Sequence, residues 1–205
     1  MFYYLELLMT TPLHDAALAQ LFTDARTANG FTNEPVTQAQ LRQVYDLAKM
    51  APTSMNTQPA RFIFLTSDAA KARILPFLMD SNVDKTRNAP ACVIVATDTR
   101  FYENMDKVWH DGPGARAMFE GAPEMAAATA QRNSTLSGAY FIMAARALGL
   151  DCGPMSGFDA AGVNKEFFPD GRFQANFLIN VGHIDSSKTF PRNNRLSFEE
   201  ACQVL

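Results

Sequence analysis

The chain has 205 residues and a mass of 22.6 kDa, which fits one compact domain, and we predict a single domain over residues 1–205. A net charge of -3 and an isoelectric point near 5.6 argue against a nucleic-acid-binding protein, because no basic excess is present to neutralise phosphates. The 3 cysteines are widely spaced and form no C-x-x-C pair, which suits a reducing compartment, and we predict a cytoplasmic protein.

Several patterns typical of catalytic or metal-binding proteins do not occur in the sequence. The 3 histidines have no H-x-x-x-H or Cys/His spacing, so no metal site is predicted. Neither G-x-S-x-G nor G-x-x-x-x-G-K-[ST] occurs, which argues against a serine hydrolase and a P-loop enzyme. The apolar start, Met1 to Met9, contains Glu6 and is too short for a signal peptide or a membrane span. We therefore interpret residues 1–10 as an N-terminal extension or an extra strand, and predict no membrane partner.

A first helix is predicted from Thr11 to about Arg26. Thr11 and Pro12 are typical of an N-cap followed by proline in the first turn, and apolar residues then recur at helical spacing. The segment that follows joins Arg26 to the short polar residues Thr27 and Asn29. Such a segment can hold a phosphate, because a guanidinium forks onto phosphate oxygens, but an ordinary solvated helix end fits the pattern equally well.

A second helix and a strand enclose a polar loop. Thr37 and Gln40 form a capping-box pattern before helically spaced apolar residues, Pro52 ends that helix, and residues 61–66 are predicted as a strand. Between Pro52 and Pro59 lie five short polar side chains, those of Thr53, Ser54, Asn56, Thr57 and Gln58. A loop stiffened by two prolines could frame a planar polar ligand such as a flavin ring; a surface turn is the alternative that the pattern alone favours.

The next region is predicted to be a short helix, a loop and a buried strand. The helix runs from Asp68 to Leu75, where Pro76 breaks it, and the strand covers residues 91–96. Between them lies the polar run from Ser81 to Lys85. A solvated lysine on a loop is the simpler interpretation of Lys85.

Residues 98–121 show the least regular pattern and contain the only tryptophan, Trp109. The run from Gly112 to Ala117 looks like G-x-G-x-x-A, but no strand precedes it, so it is not interpreted as a dinucleotide-binding turn. Two alternatives remain open for this segment, a lid over a substrate pocket and a packed excursion of the chain.

The longest helix is predicted from Pro123 to Leu148, with Gly149 as its C-terminal cap. Its many alanine, serine and glycine residues predict close approach of other backbones, either in the core or across a dimer. The residues from Cys152 to Phe158 are predicted to form a loop. The proline and two glycines in this loop would let the backbone and its amide groups approach a flat ligand.

The C-terminal part is predicted to hold a helix from Asp159 to Phe168, a strand over residues 177–181 and a basic segment over residues 183–195. Ser197 and Glu200 form a second capping box, which starts a final helix. The basic side chains that could neutralise a phosphate are Lys188, Arg192 and Arg195. A solvated tail is the alternative interpretation of this segment.

Together these segments resemble the FMN-dependent nitroreductase family. Residues 51–59 match its motif A-P-[ST]-S-x-N-x-Q-P, and residues 154–158 match P-[MI]-x-G-F. The motif R-R-S-x-R is matched only in part, because Ala25 and Asn29 replace two arginines. The family also has an Asn-x-x-Lys pair at residues 82–85 and a basic residue at the position of Arg195. Within the family, the sequence is most similar to the Rut-type malonic semialdehyde reductases of pyrimidine degradation.

The resemblance implies an FMN site but no side-chain nucleophile, and no general acid is predicted. Lys85 would stabilise the negative charge of reduced flavin. Glutamate is common in the family at Ser156, where a backbone contact would survive the change. The residues that the resemblance assigns to the cofactor are Arg26, Thr27, Asn29, Pro52, Thr53, Ser54, Asn56, Asn82, Lys85, Pro154, Met155, Ser156, Gly157, Arg192 and Arg195.

The implied fold is α+β and nitroreductase-like, with a mostly antiparallel sheet wrapped by helices in an intertwined homodimer. In that dimer the loop at residues 51–59 reaches the flavin of the partner. The implied activity is ping-pong hydride transfer from NADH or NADPH through FMN to a small organic acceptor, such as malonic semialdehyde reduced to 3-hydroxypropanoate. A general nitroaromatic or quinone reductase is one alternative. A flavin-binding module without turnover is the non-enzymatic alternative.

Overall fold

A sheet of four antiparallel strands forms the centre of the computed structural model, which describes residues 11–205. The predicted extension at residues 1–10 lies outside the described residues. The strands are β1 (Ala60–Leu65), β2 (Ala91–Asp98), β3 (Asp151–Met155) and β4 (Phe173–Gly182). Their order across the sheet is β1-β2-β4-β3, so that β2 and β4 are central. The predicted α+β class with an antiparallel sheet is confirmed.

Helices cover both faces of the sheet. They are α1 (Asp15–Leu18), α2 (Gln38–Ala48), α3 (Asp68–Ile74), α4 (Asp80–Arg87), α5 (Met105–Val108), α6 (Gly112–Glu120), α7 (Pro123–Ala147), α8 (Ala160–Phe167) and α9 (Phe198–Ala201). A π-helical turn, Ala19–Thr23, continues α1. None of the helices in residues 11–205 has the length and apolar character needed to cross a membrane. Within the same residues, no group of three or more His, Cys, Asp or Glu side chains is arranged to hold a metal ion.

The core has two layers, one on each face of the fully buried strand β2. On one face, Val93 and Val95 pack with Val44 of α2 and Phe141 of α7. On the other face, Ile94 packs with residues of α3 and α8. The small residues of α7 let it approach the sheet closely, since the Ser134 hydroxyl lies 2.6 Å from the Thr97 hydroxyl of β2. The close approach predicted for this helix therefore occurs in the core.

Local capping explains where several helices begin. The Thr37 hydroxyl accepts from the Gln40 N–H, and the Gln40 side chain accepts from the Thr37 N–H, which forms the predicted capping box of α2. Ser197 and Glu200 form the same arrangement at α9. The first helix begins later than predicted, because His14 rather than Thr11 caps it through Nδ1. It also ends at Thr23 rather than near Arg26, since the next residues bond to β3.

Three regions for which no helix or strand was predicted are regular. Residues 81–85 lie inside α4, whose charges suit a helix dipole, with Asp80 in the first turn and Lys85 in the last. The excursion over residues 98–121 contains α5 and α6, which bury Phe101 and Phe119 in a cluster of their own. Residues 151–155 form β3, an edge strand, which is a position where proline costs no hydrogen bond when its nitrogen faces outward.

Candidate cofactor site

A cavity lined by arginines lies where the turn after α1, the end of α7 and the C-terminal segment meet. Its volume is about 310 Å³. We call it the arginine cavity. Its lining residues are Phe22, Ala25, Arg26, Thr27, Asn29, Arg146, Phe190, Pro191, Arg192, Asn193 and Arg195. Four of these side chains are cationic and none is a carboxylate, so the cavity favours an anion.

Hydrogen bonds from the guanidinium groups tie the two sides of the arginine cavity together. Arg192 Nη2 donates to the carbonyl oxygens of Thr23 at 2.6 Å and Ala25 at 3.0 Å. In the opposite direction, Arg26 Nη2 donates to the carbonyl oxygen of Phe190. The structure therefore brings together Arg26, Thr27, Asn29, Arg192 and Arg195, which the sequence resemblance assigned to one cofactor.

Arg146 is a fourth cation in this cavity that sequence reasoning missed. It lies in the last turn of α7 and donates from Nη1 to the Leu21 carbonyl oxygen at 3.0 Å. The sequence placed the end of this helix at Leu148, with Gly149 as its cap, without a role for the Arg146 side chain. A basic residue in the last turn of a long helix was the available signal, but most such residues only interact with the helix dipole.

The open edge of β3 extends from the arginine cavity. The Ala28 N–H donates to the Cys152 carbonyl oxygen at 3.0 Å, which places the turn after α1 against the start of the strand. A side chain at Gly153 would collide with the Ala28 carbonyl oxygen, so this contact requires glycine. Alternate residues of a strand direct their backbone groups to the same edge, so the backbone of Pro154 faces the open edge, as that of Cys152 does. Because no strand pairs with this edge, the missing N–H of proline costs no hydrogen bond between strands.

The end of β3 is shaped by α4. Asn82 Nδ2 donates to the Gly157 carbonyl oxygen at 2.8 Å, and the Met79 N–H donates to the same oxygen at 3.0 Å. The Met155 side chain points into the core, where its sulfur lies 3.8 Å from the Thr86 hydroxyl. Asn82 therefore positions the turn at residues 156–158, and the Met155 side chain belongs to the core rather than to the open edge.

Lys85 lies on α4, near the turn that Asn82 holds. It is partly buried, and this burial lowers the pKa of its amine below the ordinary value of 10.5. No ion pair links Lys85 to a carboxylate of the described chain. A desolvated ammonium without a partner is a suitable group to stabilise negative charge on a ligand.

The cysteines near this region are not nucleophiles. Burial raises the pKa of both Cys92 and Cys152 to about 12, so each remains a neutral thiol at physiological pH. The prediction that no side chain acts as a nucleophile remains compatible with this chemistry.

The polar loop at residues 52–58 has a strained backbone and is hydrogen-bonded to α5 and α7. Met55, Asn56 and Gln58 have φ values of 50°, 52° and 42°, in the left-handed region that side chains other than glycine rarely adopt. The Ser54 N–H donates to Asn133 Oδ1 of α7 at 2.8 Å. Asn56 Nδ2 donates to the Val108 carbonyl oxygen at 2.8 Å, which connects the loop to α5.

This loop and the arginine cavity lie at opposite ends of the chain's fold. The loop leads into Ala60, at the end of the sheet where β1 pairs with Thr97. The arginine cavity adjoins the other end, where Asp151 pairs with Gly182. Asn133, which contacts the loop, and Arg146, which lines the cavity, are separated along α7 by about 20 Å. One chain therefore does not bring Pro52, Thr53, Ser54 and Asn56 to the arginine cavity.

Comparison with known proteins defines the class of this chain. A family model described as "Nitroreductase family" matches residues 23–183. The chain belongs to the nitroreductase family, whose members use FMN with NAD(P)H, and it is an NAD(P)H-dependent oxidoreductase. This assignment confirms the family that the sequence motifs resembled.

Two relatives illustrate the similarity. A Rhodopseudomonas palustris protein with the provisional name NADH dehydrogenase/NAD(P)H nitroreductase is 52% identical over 197 residues, which cover 96% of this chain and 100% of the relative. The HadB protein of Ralstonia pickettii, with the same provisional name, is 48% identical over 191 residues, which cover 92% of this chain and 97% of the relative.

Solved structures show the same fold. A provisionally named nitroreductase from Bacillus subtilis, ydfN, superposes with a TM-score of 0.83 at 22% identity and covers 94% of this chain and 100% of its own. A structure from Exiguobacterium sibiricum, described as a complex with FMN, gives a TM-score of 0.83 at 19% identity, with 96% and 100% covered. At these identities the likeness establishes the fold.

Proposed function

We propose that this chain binds FMN between two copies of itself and passes reducing equivalents from NADH or NADPH to a small organic acceptor. The observation that carries the proposal is the arginine cavity and its continuation along the open edge of β3. The donor set of the cavity fits a phosphate monoester, since four guanidinium groups line it without any carboxylate. When bound, FMN would supply the electron transfer that no side chain of the protein can perform.

In this proposal the guanidinium groups of Arg26, Arg146, Arg192 and Arg195 hold the phosphate. Each guanidinium has five N–H donors, and its bonds to carbonyl oxygens of the chain use only some of them. Thr27 and Asn29 line the same cavity with polar atoms. The residues therefore orient an anion, and no carboxylate among the lining residues competes with it for the guanidinium groups.

The edge of β3 and the end of α4 would hold the flavin ring. The backbone of Pro154 faces the open edge, Ser156 and Gly157 follow the end of the strand, and Asn82 fixes the turn at Gly157. Met155 faces β4 by the same alternation and would shape the site from the strand itself. Lys85 supplies a partly desolvated positive charge for the reduced state of the cofactor. In this arrangement the protein binds and orients the flavin and tunes its electronic properties, and the flavin carries the chemistry.

A second copy of the chain would complete the site with Pro52, Thr53, Ser54 and Asn56. The separation of about 20 Å along α7 supports a loop that serves the flavin of the other subunit. Exposed apolar side chains support a homodimer, since Leu136 and Tyr140 of α7 and Phe198 of the C-terminal segment face solvent in one chain. We propose that this dimer acts in the cytoplasm, in line with the cysteine content.

For the acceptor, we propose malonic semialdehyde, which would gain two electrons and two protons to give 3-hydroxypropanoate. The sequence similarity to Rut-type reductases supports this choice. The names of the relatives favour a second candidate, a nitroaromatic or quinone reductase. Both acceptors accept electrons from a reduced flavin, so the site residues alone are compatible with either.

Anaerobic titration of the purified protein tests the proposal. We expect a yellow protein that bleaches on addition of NADH or NADPH and regains colour with the acceptor. Steady-state rates with malonic semialdehyde and with a nitroaromatic, measured side by side, decide between the two acceptors. Bound flavin that neither nicotinamide reduces would favour a binding module, and a protein that takes up no FMN would contradict both functions.

A further inference from the structure

An ion network centred on one buried carboxylate adjoins the strained polar loop. Asp98, at the end of β2, has 0% of its surface exposed. Its Oδ2 accepts from Arg61 Nη2 at 2.7 Å, and its Oδ1 accepts from Arg172 Nε at 3.1 Å and from the Arg100 N–H at 3.0 Å. Arg172 also pairs with Glu103. The Arg100 guanidinium also lies 3.7 Å from Glu103, so three guanidinium groups surround two carboxylates. Both oxygens of the buried Asp98 carboxylate have donors.

Arg61 connects this network to the loop. Its Nη1 donates to the carbonyl oxygens of Gln58 at 2.9 Å and Ala60 at 2.8 Å, while Nη2 holds Asp98. The backbone of Asp98 adds a second anchor, because its N–H donates to the Pro59 carbonyl oxygen at 2.8 Å. The planar fork of one arginine therefore joins a buried carboxylate to the last residue of the strained segment.

From Gln58 the contacts continue into the loop. The Gln58 N–H donates to Thr53 Oγ1 at 3.2 Å, and its Nε2 donates to Asn56 Oδ1 at 3.1 Å. Residues other than glycine keep a left-handed backbone conformation only where surrounding contacts hold it in place. The strained conformation at Gln58 is held from one side by Arg61 and from the other by the loop's own polar side chains.

We propose that Asp98, acting through Arg61, is a positioning residue that fixes the shape of the loop at residues 53–58 and thereby sets the FMN affinity of the partner subunit's site. This inference rests on the proposed function, in which the loop completes that site. Asp98 and Arg61 need not touch the cofactor; their contribution is to hold Gln58, and through it Thr53 and Asn56, in the binding conformation.

The most specific test is Arg61→Lys. Lysine keeps a positive charge beside Asp98 but has no planar fork, so it cannot hold Asp98 and the Gln58 carbonyl oxygen together. We expect FMN to bind about tenfold more weakly, as for the loss of one charge-assisted hydrogen bond. We also expect faster hydrogen exchange at the amides of Asn56 and Gln58. The matched control is Arg73→Lys, at an exposed ion pair with Glu166 outside this network, and should leave both readouts unchanged.

Mixed dimers separate positioning from a general loss of structure. In a dimer of one Arg61→Lys chain and one Arg26→Ala chain, both lesions fall on one site if the loop acts across the interface. One site of each mixed dimer should then bind FMN with wild-type affinity, whereas damage to the whole Arg61→Lys subunit would weaken both sites. Wild-type FMN affinity in the Arg61→Lys homodimer would overturn the inference. Failure of the wild-type protein to bind FMN would instead contradict the proposed function.

Asp98→Asn provides a second variant at the centre of the network. It removes one negative charge while keeping the shape of the side chain, and leaves Arg61 and Arg172 competing for a neutral partner. We expect weaker FMN binding at a temperature where the apo-protein is still folded by circular dichroism. If this variant folds and binds FMN as the wild type does, Asp98 has no positioning role.

Discussion

Arg26 and Arg195 line the arginine cavity and use only part of their donors in bonds to carbonyl oxygens. If they bind the phosphate, changing either to Ala removes charge-assisted hydrogen bonds worth about 1.5–3 kcal/mol each. FMN affinity should therefore fall about ten- to a hundredfold, measured by fluorescence titration, while the fold stays intact.

A matched control for these variants is Arg73→Ala, because Arg73 pairs with Glu166 on the surface, away from the cavity. This change should not affect FMN affinity. Unchanged affinity in both Arg26→Ala and Arg195→Ala would place the phosphate elsewhere. Arg146→Ala extends the test to the cation that the sequence did not reveal, although loss of its bond to Leu21 also affects packing at the end of α7.

Lys85 links stability to function at a single residue. Burial lowers its pKa, so the folded chain binds fewer protons than the unfolded chain between the folded pKa and 10.5, and stability rises with pH in that window. Lys85→Met removes the desolvated charge, so the apo-protein should be at least as stable as the wild type at neutral pH, with an advantage that disappears above 10.5. Chemical denaturation at several pH values measures this effect.

The same Lys85→Met variant should make the bound flavin harder to reduce, since the positive charge that favours its reduced form is gone. A more negative midpoint potential in a spectroscopic redox titration is the expected result. An unchanged potential would show that Lys85 is only a partly buried surface residue, which is the simpler interpretation of its sequence context.

At the level of elements, the contact between the turn after α1 and β3 depends on Gly153. Gly153→Ala would push a methyl group against the Ala28 carbonyl oxygen, so the strand or the turn must shift. Overpacking of this kind costs about 1–3 kcal/mol, and the shift would also move Thr27 and Arg26 at the arginine cavity. We expect lower thermal stability and weaker FMN binding, measured by calorimetry and titration.

Pro154→Ala is the comparison for stability, because it changes the neighbouring residue at the open edge without adding atoms between the elements. It should alter thermal stability much less than Gly153→Ala. Equal losses of thermal stability in the two variants would mean that the strand tolerates no change at either residue. The close contact at Gly153 would then have no special role.

The elements that the sequence predicted well are those specified locally. The capping boxes at Thr37 and Ser197 place α2 and α9, since both partners lie within four residues of each other. β3 was predicted as a loop because proline and glycine are depleted in strands, and its position at the sheet edge depends on pairing with the distant β4. α4 was missed because few of its residues are apolar, which leaves no helical periodicity to detect.

The residues of the candidate site also fall into two groups, those that local motifs indicated and those that only the folded structure brings together. Motifs contiguous in sequence, such as residues 51–59 and 154–158, indicated the polar loop and the end of β3. Arg146 and the network of Asp98 with Arg61 and Arg172 join residues far apart in the chain, so only the folded structure reveals them. The separation of loop and cavity along α7 also required the structure.

At the scale of the whole molecule, a site shared by two chains links FMN binding to dimerisation. FMN that contacts both subunits stabilises the dimer over the monomer, and by the same linkage dilution should loosen FMN. The exposed apolar residues of α7 and of the C-terminal segment provide the surface that such a dimer would bury. The central claim is therefore that the polar loop of one chain completes the arginine cavity of the other.

The most direct measurement counts high-affinity FMN sites in mixed dimers of Ser54→Arg and Arg26→Ala chains. The first variant obstructs the loop, the second weakens the phosphate contact, and each homodimer should bind FMN poorly. If the loop acts across the interface, both lesions fall on one site, so each mixed dimer should hold one FMN with wild-type affinity. If every site of the mixed dimers remains weakened, the loop acts within its own chain, and the shared site is contradicted.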